Sequence, residues 1–198
     1  MNAAAVPASL TLHCHPQTPS GALRGVDVMV GESASGSLAL MFSLVGDLFR
    51  LRIPDSRPPR RARDLWRHTC FEIFVMAGDG SGYREFNFSP SGEWTVYDFR
   101  GYRDGGELAV DLQPGIRVRK SENRLQLNAE IRRDLLPSER LLRVGLSAVV
   151  EDADGMVSYW ALRHPPGKPD FHHTDAFAFE MEWTSLREHK DPVDGVWL

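Results

Sequence analysis

Apolar residues recur at every second position along most of the chain, which is the period of half-buried strands and not of helices. In LTLHCHP, Leu10, Leu12 and Cys14 share one face and His13 and His15 the other. Val26, Val28 and Val30 continue the pattern, as do Leu38, Leu40 and Phe42; Gly46-Asp47 then reads as a hairpin turn into LFRLRI. Ile116 and Val118 mark a further strand. Leu125, Leu127, Ala129 and Ile131 mark another, alternating with Arg124, Gln126, Asn128 and Glu130, whose face is expected in solvent. VGLSAVVED and VSYWALRH read as buried strands, and AFAFEMEW as the last, with Phe177, Phe179 and Met181 inward. RRDLLPSER allows one short helical turn, ended by Pro137, and SLREHKDPVDGVWL reads as a loosely attached tail. About eleven or twelve short strands with little helix predict an all-β fold, an antiparallel β-sandwich of jelly-roll type.

The densest stretch is residues 66 to 104. Three β-branched and aromatic runs separated by Gly-rich and Pro-Ser-Gly turns predict a three-stranded meander supplying central strands. His68, Cys70 and Glu72 fall on one face of its first strand. In the second, Phe86 and Phe88 alternate with Glu85, Asn87 and Ser89; in the third, Trp94, Val96 and Asp98 alternate with Thr95, Tyr97 and Phe99. In-order pairing brings Glu72 near the Glu85 and Asn87 row, with Trp66 at its edge. RDGGELAVDLQPG reads as a turn-rich connector.

Composition narrows the function classes. With 198 residues, 42% hydrophobic and 25% charged, the chain suits one soluble domain spanning residues 1–198. A formal net charge of -4 gives no reason to expect a nucleic-acid partner. No run approaches the roughly 20 apolar residues of a membrane helix. Residues 1 to 20 lack a cationic start and are interrupted by Pro7 and Pro16, so no cleaved secretory signal is expected. Cys14 and Cys70 form no metal motif or disulfide framework and read as reduced thiols of a cytoplasmic protein.

Motifs of enzyme chemistry are absent: no phosphate-binding glycine loop, nucleophile elbow or zinc-binding helix. His13 and His15 read as surface histidines on an edge strand. Arg57, Arg60, Arg61 and Arg63 crowd with prolines in an extended loop, either a solvated surface segment or a basic flap near Trp66. Glu72, Glu85 and Glu93 share one meander, where two acids could flank a glycosidic bond or accept from sugar hydroxyls. In YWALRHPPGKPDFHHTD, a Pro-Pro-Gly turn leads into a loop expected to expose Lys168, Asp170, Phe171, His172 and His173; in a structural role, Asp170 caps the turn and Phe171 plugs the sandwich. A metal site from His164, His172 and His173 needs three imidazoles to converge, and none is assigned.

HTCFEIFVM, EFNFSPSGEWTVYDFRGYR and SYWALRHPPGKPDFHHTDAFAFE resemble the bacterial DOMON-like domain proteins, related to the family 9 carbohydrate-binding modules and to haem-binding DOMON domains. The resemblance covers nearly the whole chain. It implies a sugar held between two aromatic rings, with acidic, basic and amide side chains reading its hydroxyls. Trp66 and Glu72 look like the first aromatic and its acid, Arg100 or Arg103 like the basic partner, and Phe171, or alternatively Trp160, like the second aromatic. With Asn87, Lys168 and His172 these form the expected site, where the edge near Trp66 and Glu72 meets the loop from Lys168 to His173. Haem-binding relatives use a methionine and a histidine; Met29, Met41, Met76 and Met156 fall in no such match. The expectation is a non-catalytic module for a saccharide or sugar-containing metabolite, needing no cofactor. Haem binding is the alternative from another class, and glycoside processing a third.

Overall fold

The computed structural model describes residues 7–80, 82–110 and 114–183. Twelve strands are present among them: β1 (Ala8–Cys14), β2 (Leu23–Glu32), β3 (Leu38–Gly46), β4 (Cys70–Ala77), β5 (Tyr83–Phe88), β6 (Trp94–Gly101), β7 (Asp104–Glu107), β8 (Arg117–Lys120), β9 (Arg124–Ile131), β10 (Leu141–Glu151), β11 (Val157–Ala161) and β12 (Phe179–Glu182). The helical residues are four single 3-10 turns, one of them the expected turn at Arg133–Leu135. Every pairing between strands is antiparallel. The tail from residue 184 and part of the RDGGELAVDLQPG segment, residues 111–113, lie outside the described residues.

The strands form the two layers of a sandwich. The back sheet runs β1-β2-β3-β9-β8 and the front sheet β7-β6-β5-β4-β10-β11, with β12 beside the start of β10. β1 joins the layers, since Ala8–Leu12 pairs with β2 whereas His13 and Cys14 pair with β11. Val26, Val28, Phe42, Leu44 and Leu127 from behind meet Phe71, Ile73, Val75, Phe86, Val96 and Leu146 from the front in one apolar core. Phe42 and Phe71 touch across it with ring centroids 4.9 Å apart.

Several expectations are corrected. β1 is an interior strand, and His15 is buried, its Nδ1 accepting from the Gln17 backbone N–H at 3.2 Å and its ring edge-on to His164. LFRLRI opens on a 3-10 turn capped by Asp47 and not on a hairpin strand. The meander has a fourth strand, β7, hidden in the DGGE run because glycine is a poor strand former; at Gly105 a Cβ would collide with the carbonyl oxygen of Asp98. The meander's reach is correspondingly different: β4 is central, but β6 and β7 lie at the end of the front sheet. Phe177 precedes β12 and faces a second cluster, on the outer side of the front sheet, instead of the main core.

The arginine loop is neither a free flap nor simply solvated. Arg60 binds Glu93 at 2.6 Å and Arg63 binds Glu107 at 2.7 Å, while Arg61 lies over the Trp94 ring at 5.4 Å. Backbone bonds from Ala62 N–H to the Trp94 carbonyl and from Trp94 N–H to the Arg60 carbonyl lay the segment along β6. The arginines therefore fasten the strap that delivers Trp66 to the front sheet.

Truncating a fully buried ring removes both its transfer free energy and its packing contacts. Phe71→Ala should cost ~3–5 kcal/mol in urea unfolding, and a loss below 1 kcal/mol would mean that the two sheets do not meet through this ring.

Candidate functional site

The outer face of the front sheet carries a second apolar cluster. β4 is buried at every position, because Phe71, Ile73 and Val75 face the sandwich core while Cys70, Glu72, Phe74 and Met76 face away from it. Residues 162–178 fold back over this outer face, and Phe171 and Phe177 pack with Phe74 and Tyr83 beneath them. Between this covering segment, the outer face and the 3-10 turn Leu65–Arg67 lies a cavity of about 620 Å³.

Strand register composes its floor. Ser147, Glu72, Asn87 and Thr95 form one row across β10, β4, β5 and β6; Phe74, Glu85 and Tyr97 form part of the next. Glu72 and Glu85 are diagonal neighbours on adjacent strands, and both line the cavity. The walls add Phe99 from β6, Val149 from β10 and Tyr159 from β11; Trp66 and Lys168 complete the rim. Trp66 is 45% exposed, with the Arg67 guanidinium 5.2 Å from its ring.

A hydrogen-bond clamp holds the covering loop. Asp170 accepts from Tyr102 Oη at 2.7 Å, from Arg103 at 3.0 Å and from the His172 backbone N–H at 3.1 Å. Tyr83 Oη accepts from the Arg103 backbone N–H at 3.1 Å and is hydrogen-bonded to His172 Nδ1, 2.8 Å away. The other ring nitrogen, His172 Nε2, stands 3.7 Å from Glu85 Oε2. Arg103 and Asp64, both lining the cavity, are the non-glycine residues with positive φ among the described residues, at 54° and 58°. Such backbone costs roughly 1–2 kcal/mol per residue, so the surrounding contacts must hold it in place.

Burial sets the protonation of the floor. Glu72, only 3% exposed, has its pKa raised well above the usual carboxylate value, first by burial and then by Glu85; a bond from Ser147 and the charge of Arg103 oppose this only in part. Ser147 donates to Glu72 Oε2 at 3.4 Å, but Oε1 finds no donor among the described residues. Burial also lifts Glu85 to about 7 against a bond from Asn87 and the charge of Arg103. His172 falls to about 4, through burial and then the Arg103 charge, with Asp170 acting against them. The loop's Asp170 is held below its ordinary value: burial would raise it, but the bonds from Tyr102 and Arg103 outweigh that.

Of the eight expected site residues, six line the cavity: Trp66, Glu72, Arg103, Lys168, Phe171 and His172. Asn87 is fully buried behind the floor and donates to Glu85 Oε1 at 2.6 Å, a positioning role. Arg100 lies elsewhere, exposed and paired with Asp104 at 3.1 Å, because alternation along β6 turns it away from Tyr97 and Phe99. Phe171 and most of His172 are buried where an exposed loop was expected, and Phe171 packs on the sheet face edge-on to Tyr159. Trp160, the alternative second aromatic, belongs to the main core, and Glu93 serves the arginine strap.

Sequence reasoning missed Asp64, Tyr97, Phe99, Val149, Tyr159 and Pro169, and left Glu85 out of the site. Carrying the alternation one step further would have found Glu85, Tyr97 and Phe99.

Met29, Met41, Met76 and Met156 are absent from the lining of this site, and His172 presents Nδ1 to Tyr83 and Nε2 toward Glu85. Among the described residues no group of three or more His, Cys, Asp or Glu side chains could hold a metal ion. No helix among them is long and apolar enough to cross a membrane.

Comparison with known proteins gives likeness at the level of structure. The chain is similar to a protein of Bacteroides uniformis described as a candidate carbohydrate-binding protein, with TM-score 0.62 and 11% identity over 84% of this chain and 82% of that one. It is also similar to a family 9 carbohydrate-binding module from Caldicellulosiruptor kristjanssonii in complex with cellotriose, with TM-score 0.56 and 8% identity over 96% and 89% of the two chains. The likeness is one of fold. A family 9 module from the same organism in complex with glucose superposes with TM-score 0.50 and 10% identity over 85% and 81%. No protein-family model and no curated protein sequence matches the chain.

The two titrations at the floor oppose one another. Glu85, ordinarily near 4.5, keeps a proton in the folded chain that the unfolded chain has released; this contribution to stability is full below about 4.5 and lost as pH rises through about 7. His172, ordinarily near 6.5, is held neutral, so its contribution is full above about 6.5 and lost as pH falls through about 4. Between about 4.5 and 6.5 these two slopes cancel, while Glu72, whose pKa is raised as well, adds a slope of the same sign as Glu85's. In Glu85→Gln the first slope disappears, and the slope of stability against pH should be more positive in the variant than in the unaltered protein, by at most ~1.4 kcal/mol per pH unit. Urea unfolding at pH 5, 5.5 and 6 measures this; identical slopes would show that Glu85 holds no proton there.

Proposed function

We propose that this protein binds a saccharide, or a metabolite containing one, in the cavity between the front sheet and residues 162–178, and does not turn it over. The observation that carries this reading is the pairing of an exposed indole at the rim with a buried, unpartnered acceptor at the floor: Trp66 offers a flat stacking face, and Glu72 Oε1 awaits a donor. Sugars present both kinds of surface, an apolar ring face and outward hydroxyls. A volume of about 620 Å³ accommodates one or a few sugar rings. The sugars in the complexes with a similar fold, glucose and cellotriose, support the same class of ligand.

We further assign the chain to the bacterial DOMON-like proteins, on the strength of the motifs from Trp66 to Arg103 and from Tyr159 to Phe179. A cytoplasmic setting, without cofactor, membrane or nucleic acid as partner, completes the reading; the unpaired thiols of Cys14 and Cys70 support a reducing compartment.

A thermal-shift screen of monosaccharides and cello-oligosaccharides, followed by calorimetry on the ligands that raise the melting temperature, tests the proposal. Trp66→Ala should weaken binding by ~1–3 kcal/mol, the loss expected for a large aromatic contact, with little change in melting temperature because the ring is half exposed. Unchanged affinity in this variant would remove the site from consideration. Turnover of aryl glycosides that vanished in Glu72→Gln would replace binding by hydrolysis.

A further inference from the structure

The floor is more acidic than recognition of neutral hydroxyls requires. Glu72 and Glu85 face the same space, and neither meets a cation at hydrogen-bond distance. Arg103 spends its side-chain bonds on Asp170 and Tyr102, while the closest nitrogen of His172 stands 3.7 Å from Glu85 and belongs to a neutral ring. Asn87 satisfies Glu85 Oε1 and Ser147 reaches Glu72 Oε2, yet Glu72 Oε1 is completely buried with no donor. Burying an oxygen without a donor is unfavourable, and a ligand group in the cavity can supply one.

We infer that the ligand carries a protonated amine seated between Glu72 and Glu85, so that the saccharide is an amino sugar. This inference rests on the saccharide reading above and specifies its substrate class. A hydroxyl would offer a single proton and leave the two acids to share or retain their own. An ammonium group brings three N–H donors and a positive charge, which satisfies the bare oxygen and relieves the repulsion between two ionised carboxylates. Tyr97, Phe99 and Tyr159 also line the cavity, and aromatic rings are compatible both with a cation and with the sugar's apolar ring face. Lys168 lines the cavity but is exposed, and among the described residues it forms no ion pair with either acid.

Calorimetry at pH 7 on matched sets tests the inference: glucose, galactose and mannose, each beside its 2-amino and its N-acetylated 2-amino form. At least one amino sugar should bind tenfold or more tightly than its neutral and N-acetylated partners. That preference should collapse in Glu72→Gln and in Glu85→Gln, whose folding is checked by melting. Neutral or acetylated forms binding as tightly as the amines would overturn the inference and leave the saccharide reading standing. A preference for amines that survived in both variants would also overturn it, since the seat would lie elsewhere. If neither this panel nor the cello-oligosaccharides bind at all, both the inference and the saccharide reading fall.

Discussion

The front sheet has to be covered twice, and most of the molecule follows from that constraint. Each strand projects side chains to both faces, and in β4 every side chain but Glu72 is apolar: Phe71, Ile73 and Val75 on one side, Cys70, Phe74 and Met76 on the other. The back sheet covers the first face. The second is covered by residues 162–178, a segment without a strand of its own, held through Phe171, Phe177 and the Asp170 clamp, together with the 3-10 turn Leu65–Arg67. A loop folded over a sheet does not fill the space beneath it as another sheet would. The residual volume is the cavity, and its floor is whatever polar residues the strands place in that gap.

Those polar residues are acids under unusual pressure. Glu72 and Glu85 are close, buried and incompletely bonded, so at least part of their charge is suppressed by protons. His172, which could have neutralised them as an imidazolium, is kept neutral by its own burial and by Arg103. Arg103 in turn is committed to Asp170, through a backbone conformation that only these contacts justify. The positive charge of the region is thus used first to fix the loop and balances the floor only in part. A site assembled this way is complete in shape while remaining incomplete in charge.

Much of the architecture was legible in the chain because period-two alternation is a local property. Leu38, Leu40 and Phe42 announce a strand by themselves, and the turns between β4, β5 and β6 announce their pairing. The strands that sequence reading missed or misjudged are those whose identity is set from outside. DGGE becomes β7 only because β6 offers an edge close enough to exclude side chains at Gly105, and β1 becomes interior only because β11, far along the chain, arrives beside it. No local pattern encodes either event.

The site divides along the same line. Trp66, Glu72 and the loop from Lys168 to His172 could be joined because each half has a recognisable composition, an aromatic with an acid in one and a proline-stiffened loop in the other. Val149 and Tyr159 enter the lining because β10 pairs with β4 and β11 with β10, a neighbour relation spanning about half the chain. Arg100 and Arg103 show the limit most sharply. Both are arginines in one short FRGYR segment, but strand alternation sends the first to the sheet's other side and a left-handed turn brings the second back over the cavity. Residue type nominated both equally; only the sign of one backbone angle, sustained by Tyr83 and Asp170 from elsewhere in the fold, decides between them.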